Sequence, residues 1–259
     1  SVAEMMAVLE GPDTMAQAIP ITPFATATPS PAVYVTLRRA QNAAETEADK
    51  TSTKEAVDKW RADARAKQYD HALRTMRRSI AAPLGLHERL TAFWADHFTT
   101  EGRNIQTRHM VTPFIEEAIR PHITGNFADM LREVATHPIM LHYLQQIDSH
   151  GPNSPRGIRR GRGLNENLAR ELLELHSLGV GGAYTQTDVT ELAELLTGLT
   201  YHPLNGFKFD TQMAEPGAET VLGVSYGPKA TLRTIHTAIE RLARHPDTAR
   251  HIARKLVVH

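Results

Sequence analysis

From about residue 83 to the end of the chain, large apolar residues recur at the three- and four-residue spacing of an α-helix. In the first such stretch, Leu86, Leu90, Phe93, Trp94 and His97 share one helical face. Segments that we predict to be helical follow at about 107–119, 126–135, 138–146, 164–178, 185–198, 228–244 and 247–257. Short strand-like runs are confined to 199–227. The pattern therefore predicts an all-α protein, an irregular multi-helix bundle with a minor β-hairpin or irregular region around 199–227.

The first 82 residues have a different character. Four prolines between residues 20 and 31 predict an extended arm, because proline removes a backbone donor and restricts its neighbour. Residues 32–80 are rich in Ala, Arg, Lys and Glu, and 38–68 contains few large apolar side chains. A capping-box pattern, Ser52-x-x-Glu55, predicts a break between two helices near 50–52. We expect an N-terminal arm and projecting helical hairpin at 1–82, and a core helical domain at 83–259.

Composition excludes several classes of chemistry. The chain has no cysteine, so disulfides, thiolate catalysis and cysteine zinc sites are excluded. With 14 histidines, a transition-metal site would use histidine and carboxylate. Lys plus Arg equals Asp plus Glu at 29 each, which gives no general attraction to nucleic acid. No apolar run reaches the ~20 residues of a membrane span, and no signal peptide is visible. Cytoplasmic and exported (periplasmic) locations both remain compatible with the chain.

The helix predicted at 164–178 carries the densest set of polar candidates. Asn165 and His176 lie on one border of its apolar stripe, and Glu171 lies on the other. One interpretation is structural: Asn165 caps the helix and Glu166 pairs with a basic residue one turn later. The other is a polar site, in which His97 of the 83–98 helix joins it. That reading makes His97, Glu171 and His176 candidate ligands of a divalent metal, and His97, Asn165, Glu166 and Glu171 candidate catalytic residues.

The segment 156–162 holds four arginines directly before that helix. They are Arg156, Arg159, Arg160 and Arg162. Arginines at a helix N-terminus favour an anion such as phosphate, sulfate or carboxylate, whereas the alternative is a mobile solvated loop. No aromatic residue is interleaved with them, so nucleic-acid binding is not predicted. The Gly-x-Ser-x-Gly pattern around Ser225 matches a hydrolase elbow, but that elbow needs a parallel sheet that this chain does not predict.

Three blocks resemble the bacterial family called domain of unknown function 1800. They are residues 88–98 (ERLTAFWADHF), 165–180 (NENLARELLELHSLGV) and 184–198 (YTQTDVTELAELLTG), and a tail at 245–256 (HPDTARHIARKL) accompanies them. The resemblance implies a mostly helical, uncharacterised protein whose relatives often look exported and accompany a sulfatase-like family of unknown function. Family members usually continue past the tail block, which implies a chain truncated relative to the family.

Two functions stay open at this point. The first is an enzyme, a metal-assisted hydrolase acting on an anionic substrate, with the arginine segment as anion clamp. The second is a non-catalytic binding or assembly partner that docks through the 32–80 hairpin. Residue types alone give neither a substrate nor an oligomeric state.

Overall fold

The computed structural model describes residues 2–258. Within that range, helices dominate, and the strands form only two small antiparallel sheets of two strands each. The predicted all-α class with a minor β region is confirmed. The chain divides into two compact units, an N-terminal unit up to Thr124 and a C-terminal unit from Gly125. The sequence predicted a different division, into an arm and hairpin at 1–82 and a core at 83–259. That division stays a prediction.

The N-terminal unit is built from six α-helices and short irregular turns. The helices are α1 (Val2–Glu10), α2 (Thr14–Ala18), α3 (Pro31–Ala43), α4 (Glu47–Ala81), α5 (Leu86–His97) and α6 (Val111–Phe114). One π-helical turn, Ile115–Ile119, continues α6. Single 3-10 turns lie at Phe24–Thr26, Arg108–Met110 and Arg120–His122. The predicted extended arm at 20–31 is therefore interrupted by one turn only.

Helices α3 and α4 pack against each other around a small apolar cluster, against which Ile105 also packs. The rings of Tyr34 and Trp60 lie 4.7 Å apart, and the Trp60 indole N–H donates to the Ser30 carbonyl at 3.2 Å. Val57 and Ala64 complete this buried cluster. Most other residues of 38–68 are exposed or half-buried, as expected for a solvated hairpin.

The break between the two helices was predicted at the wrong place. It lies at 44–46, because the Thr46 hydroxyl accepts a hydrogen bond from the Asp49 N–H at 3.1 Å and starts α4 there. Ser52 and Glu55 lie inside α4, on its exposed surface. The capping-box pattern at these two residues is therefore not used.

Two buried arginines hold the N-terminal unit together. Arg78, which is 1% exposed, donates to Glu116 at 2.7 Å and to the Ile19 carbonyl at 2.8 Å. Arg120 donates to the buried Glu88 at 3.0 Å and to Asp13 at 2.9 Å. Although burial opposes its charge, these hydrogen bonds hold the pKa of Arg120 above its ordinary value.

Over its described residues, 125–258, the C-terminal unit contains seven α-helices and both sheets. The helices are α7 (Phe127–Thr136), α8 (Pro138–Tyr143), α9 (Pro155–Arg160), α10 (Asn167–Glu171), α11 (Gln186–Leu196), α12 (Leu232–Ala243) and α13 (Pro246–Val258). A π-helical turn, Leu172–His176, continues α10. The strands are β1 (Leu199–His202), β2 (Gly206–Phe209), β3 (Glu219–Val221) and β4 (Val224–Tyr226). β1 pairs with β2, and β3 pairs with β4.

The stretch between the helical segments predicted at 138–146 and 164–178 contains a short helix, α9. Its first turn is capped by Ser154, whose hydroxyl accepts from the Gly157 N–H at 3.0 Å, and Pro155 opens the helix. It ends at Gly161, whose φ of 60° is the left-handed cap that glycine favours. The Ser-Pro start and the glycine end of this helix can be recognised in the sequence. The many arginines around them made these helix signals less apparent.

No helix among residues 2–258 combines the length and the apolarity required to cross a bilayer.

We predict that Glu88→Gln destabilises the protein by roughly 3 kcal/mol or more, because it leaves the buried Arg120 charge incompletely paired. The matched control is Asp63→Asn, which breaks the exposed Lys59–Asp63 pair and is expected to cost at most about 1 kcal/mol. Urea unfolding measures both differences. Equal losses of unfolding free energy for the two variants would show that the buried Arg120 ion pairs stabilise the unit no more than an exposed pair does.

Candidate metal centre

Helix α11 supports the site, and its start is fixed by local sequence. The Thr185 hydroxyl accepts from the Asp188 N–H at 3.2 Å, and the Asp188 carboxylate accepts from the Thr185 N–H at 2.8 Å. This capping box starts α11 within the helical segment predicted at 185–198. The buried face of α11 includes Val189, Leu192 and Leu196. Glu191 and Glu194 lie one turn apart and are half-buried.

The short strand β3 is attached to α11 by two carboxylates. Asp188 accepts a hydrogen bond from the Leu222 N–H at 2.7 Å, and Glu191 accepts one from the Thr220 N–H at 2.7 Å. These bonds use backbone donors that a two-stranded sheet leaves unpaired at its edge. They place the first residue of the strand, Glu219, beside the acidic face of the helix.

Three carboxylates meet where β3 approaches α11. One oxygen from each of Glu191, Glu194 and Glu219 lies within 4.8 Å of the other two. Glu219 is only 6% exposed. Within residues 2–258, its carboxylate accepts no hydrogen bond from an N–H or a hydroxyl, and its hydrogen-bond neighbour is the Glu194 carboxyl group. A buried carboxylate with only another carboxylate as a partner is unusual, because buried charges are normally paired or bound to metal.

The electrostatics follow from this arrangement. Burial, followed by the negative charges of Glu194, Glu191 and Glu215, raises the pKa of Glu219 to about 8. Burial also raises the pKa of Glu194. All the charged groups that shift the pKa of Glu219 are carboxylates. The cluster therefore holds a proton near neutral pH, or a cation in its place.

A fourth carboxylate, Glu215, is buried beside the cluster and firmly held. It accepts hydrogen bonds from the Asn153 N–H at 2.9 Å and from the Asn153 side chain at 2.6 Å. Its own N–H donates to the Thr197 hydroxyl at 2.8 Å. A Cβ at Gly151 would lie 2.4 Å from the Glu215 carboxylate, so only glycine permits this approach. Glu215 therefore adds negative charge from a fixed position.

Asn165 and Glu166 make structural contacts at the start of α10. The Asn165 side chain accepts from the Asn167 N–H at 2.9 Å and donates to the Leu144 carbonyl at 3.3 Å. Glu166 accepts from Arg170 at 3.0 Å and from Thr190 of α11 at 2.8 Å. The hydrogen bond from Thr190 is the main cause of its lowered pKa. Both residues thus join α10 to its surroundings.

The three residues predicted as metal ligands are buried or half-buried. His97, in the N-terminal unit, is buried among the rings of Phe93, Trp94 and Phe98, with centroids 4.6 to 6.3 Å away. In the C-terminal unit, burial and to a lesser extent Glu174 raise the pKa of the half-buried Glu171. His176 is almost fully buried, which lowers its pKa to about 3 and keeps the imidazole neutral. Their joint role as ligands stays a prediction.

Of the four arginines in α9 and directly after it, two form ion pairs among the described residues and two do not. Arg156 forms an ion pair with Asp210 at 2.8 Å, and Arg162 forms one with Asp148 at 2.8 Å. The side chains of Arg159 and Arg160 are exposed, and within residues 2–258 they make no ion pair or hydrogen bond. These two are therefore the cations of the segment that remain available to an anion.

The sequence-based search missed the carboxylate cluster. Glu191 and Glu194 look like ordinary exposed residues of an amphipathic helix, and Glu219 lies in a strand far along the chain. Ser225 lies on the exposed face of β4, within an antiparallel hairpin and not at a strand-to-helix turn. The only local hint was the three-residue spacing of the helix carboxylates, which is also typical of solvated helices.

Together, the helices, the two hairpins and the carboxylate cluster define a mostly helical protein with a candidate cation site. Residues 12–259 match the family described as protein of unknown function, DUF1800. The chain belongs to this family, which confirms the resemblance of the three sequence blocks and extends it to most of the arm and the hairpin. No curated protein and no solved structure matches the chain.

We predict that the burial of His176 makes stability depend on pH. Its folded pKa of about 3 lies below the ordinary value of 6.5, so the unfolded chain binds a proton that the folded chain excludes. The stabilising effect is complete above pH 6.5 and is lost as the pH falls towards 3. His176→Gln should reduce the slope of unfolding free energy against pH by up to about 1.4 kcal/mol per unit. Urea unfolding across this range is the measurement, and identical slopes would contradict the assignment.

Proposed function

We propose that the C-terminal unit binds a divalent cation through Glu191, Glu194 and Glu219, and that the bound ion assists hydrolysis of an anionic substrate. The observation that carries the proposal is the burial of Glu219 without any cationic or N–H partner among the described residues. Carboxylate oxygens are the ligands that Mg²⁺, Ca²⁺ and Mn²⁺ prefer. A cation at this point would neutralise the mutual repulsion of the three side chains.

The cluster draws on two elements whose mutual placement is fixed without a metal. Glu191 is oriented by the Thr220 N–H, and β3 is attached to α11 a second time through Asp188. Preformed carboxylates bind an ion more tightly because less conformational freedom is lost on binding. Glu215, held by Asn153, supplies further negative potential from outside the three-residue set.

The choice of an anionic substrate rests on the arginines of α9. The α9 segment is attached to the chain that leads to Glu219: the Arg156 N–H donates to the Gln212 carbonyl at 2.9 Å, and Asn153 binds Glu215. Arg159 and Arg160 therefore belong to a segment that is hydrogen-bonded to Gln212 and Glu215, which precede β3 in the chain. A metal ion would polarise the substrate and activate water, while guanidinium groups would bind its negative charge.

The alternative function is a non-catalytic assembly role for the 32–80 hairpin. It concerns a different surface, in the other unit, and does not conflict with cation binding. A sulfatase-like partner, which the family resemblance implies, stays a prediction.

Cation binding is tested by calorimetric titration of Mg²⁺, Ca²⁺ and Mn²⁺ separately into the protein. We expect one ion per chain, and we expect Glu219→Gln to weaken its binding by at least about tenfold, since a neutral amide replaces the central charged ligand. Glu133→Gln, at an exposed carboxylate of the same unit, should bind like the original protein. Failure of all three ions to bind, or equal binding by Glu219→Gln, would refute the site.

The reaction class needs a separate assay. With the tightest-binding ion present, we expect hydrolysis of p-nitrophenyl phosphate or p-nitrophenyl sulfate, and loss of that activity in Glu219→Gln. Replacing both Arg159 and Arg160 by Ala should raise KM while ion binding stays unchanged. If the ion binds but neither ester reacts in any condition, the cation site stands and the hydrolase assignment is wrong.

A further inference from the structure

A row of exposed apolar side chains runs along the C-terminal half of α4. Tyr69, Leu73, Met76 and Ile80 are 72%, 53%, 60% and 82% exposed. They follow one another at steps of four, three and four residues, the spacing of the contact seam in a two-helix coiled coil. We call these four residues the α4 stripe. Large contiguous apolar surface of this kind marks an interaction site more often than isolated exposed residues do.

The stripe lies on the side of α4 opposite to the one that packs within its own unit. The buried residues of the helix include Ala64, His71 and Arg78, which recur at sevens and so define one face. At about 100° per residue, the stripe lies roughly half a turn away from that face. Packing inside the unit therefore leaves this side of α4 without a partner, and a two-sided helix of this kind is suited to an external contact.

We infer that the α4 stripe is the interface of a homodimer, in which two copies of α4 pair in antiparallel orientation. When Leu73 of one copy faces Met76 of the other, two-fold symmetry also places Tyr69 opposite Ile80 of the second copy. Every contact layer then combines two large apolar side chains. The stripe is thus complementary to itself, as a two-fold interface requires.

Charge supports the same alignment. Asp70 and Arg77 each follow a stripe residue by one position, so both lie along the same edge of the stripe. Antiparallel pairing brings this edge against its own copy, with Asp70 beside Arg77 of the second chain, and symmetry produces the pair twice. Within residues 2–258, the exposed Arg77 side chain makes no ion pair or hydrogen bond. Asp70 already holds Arg74 at 3.0 Å, and a carboxylate can accept from a second cation.

The occupant is a second copy because the register that matches the apolar residues also matches the charges. An unrelated helix would need its own apolar seam and an Arg–Asp pair at the same spacing. This inference concerns the N-terminal unit and does not depend on cation binding in the C-terminal unit.

Sedimentation equilibrium of the full chain tests the association. We expect a concentration-dependent dimer, and a monomer for Leu73→Glu and for Met76→Glu. Ile158→Glu is the control, because it places the same charge at a side chain of similar exposure outside the stripe. Circular dichroism confirms that each variant keeps its helix content. A chain that stays monomeric from micromolar to millimolar concentration would overturn the inference, as would a dimer that survives both stripe variants.

The antiparallel register has its own test. Arg77→Asp sets like charges against each other and should weaken the dimer, whereas combining it with Asp70→Arg should restore association. Because the chain has no cysteine, single replacements can report contacts directly. An oxidised mixture of Leu73→Cys and Met76→Cys should form mainly the mixed cross-linked species. Predominant cross-linking of each variant with itself would indicate a parallel pair and contradict the proposed register.

Discussion

Glu219 is buried beside other carboxylates with no cation beside it among the described residues, and this distinguishes the C-terminal unit from the N-terminal unit. In the N-terminal unit, the buried carboxylates Glu88 and Glu116 each hold an arginine. Breaking such a pair is costly because the remaining ion stays in a poorly solvated place. At Glu219 the folded chain provides no such ion among its described residues. The contrast within one chain is the reason to regard the carboxylate cluster as a binding site and not as another structural network.

The parts of the fold that follow from local sequence could be predicted. Helical periodicity located most of the helices after residue 83, including α11 within the segment predicted at 185–198. The position of the break between α3 and α4 could not be predicted in the same way, because Thr46 and Ser52 are both acceptable N-cap residues. The structure uses the Thr46 cap, and Ser52 lies exposed inside α4.

The candidate site could not be predicted from local sequence, for a related physical reason. The polar helix at 165–176 attracts attention because its residues are adjacent in sequence, yet Asn165 and Glu166 serve as cap and cross-link there. The carboxylates that do converge come from two elements far apart along the chain. Their meeting depends on backbone N–H groups of β3 and of the turn that follows it, which donate to Glu191 and Asp188. No spacing rule encodes such bonds, since each depends on how strand and helix are packed.

In α4, the apolar pattern of a helix surface is present in the sequence but difficult to recognise. Apolar residues appear on two opposite faces, so their periodic signal largely cancels and the helix resembles a polar, solvated one. The first face packs within the unit through Val57 and Trp60, and the second carries Leu73 and Met76 into solvent. A helix with one face for its own fold and one for a partner needs apolar residues on both faces, and polar residues can occupy the edges between them. Asp70 and Arg77 lie on such an edge, where a second chain can satisfy them.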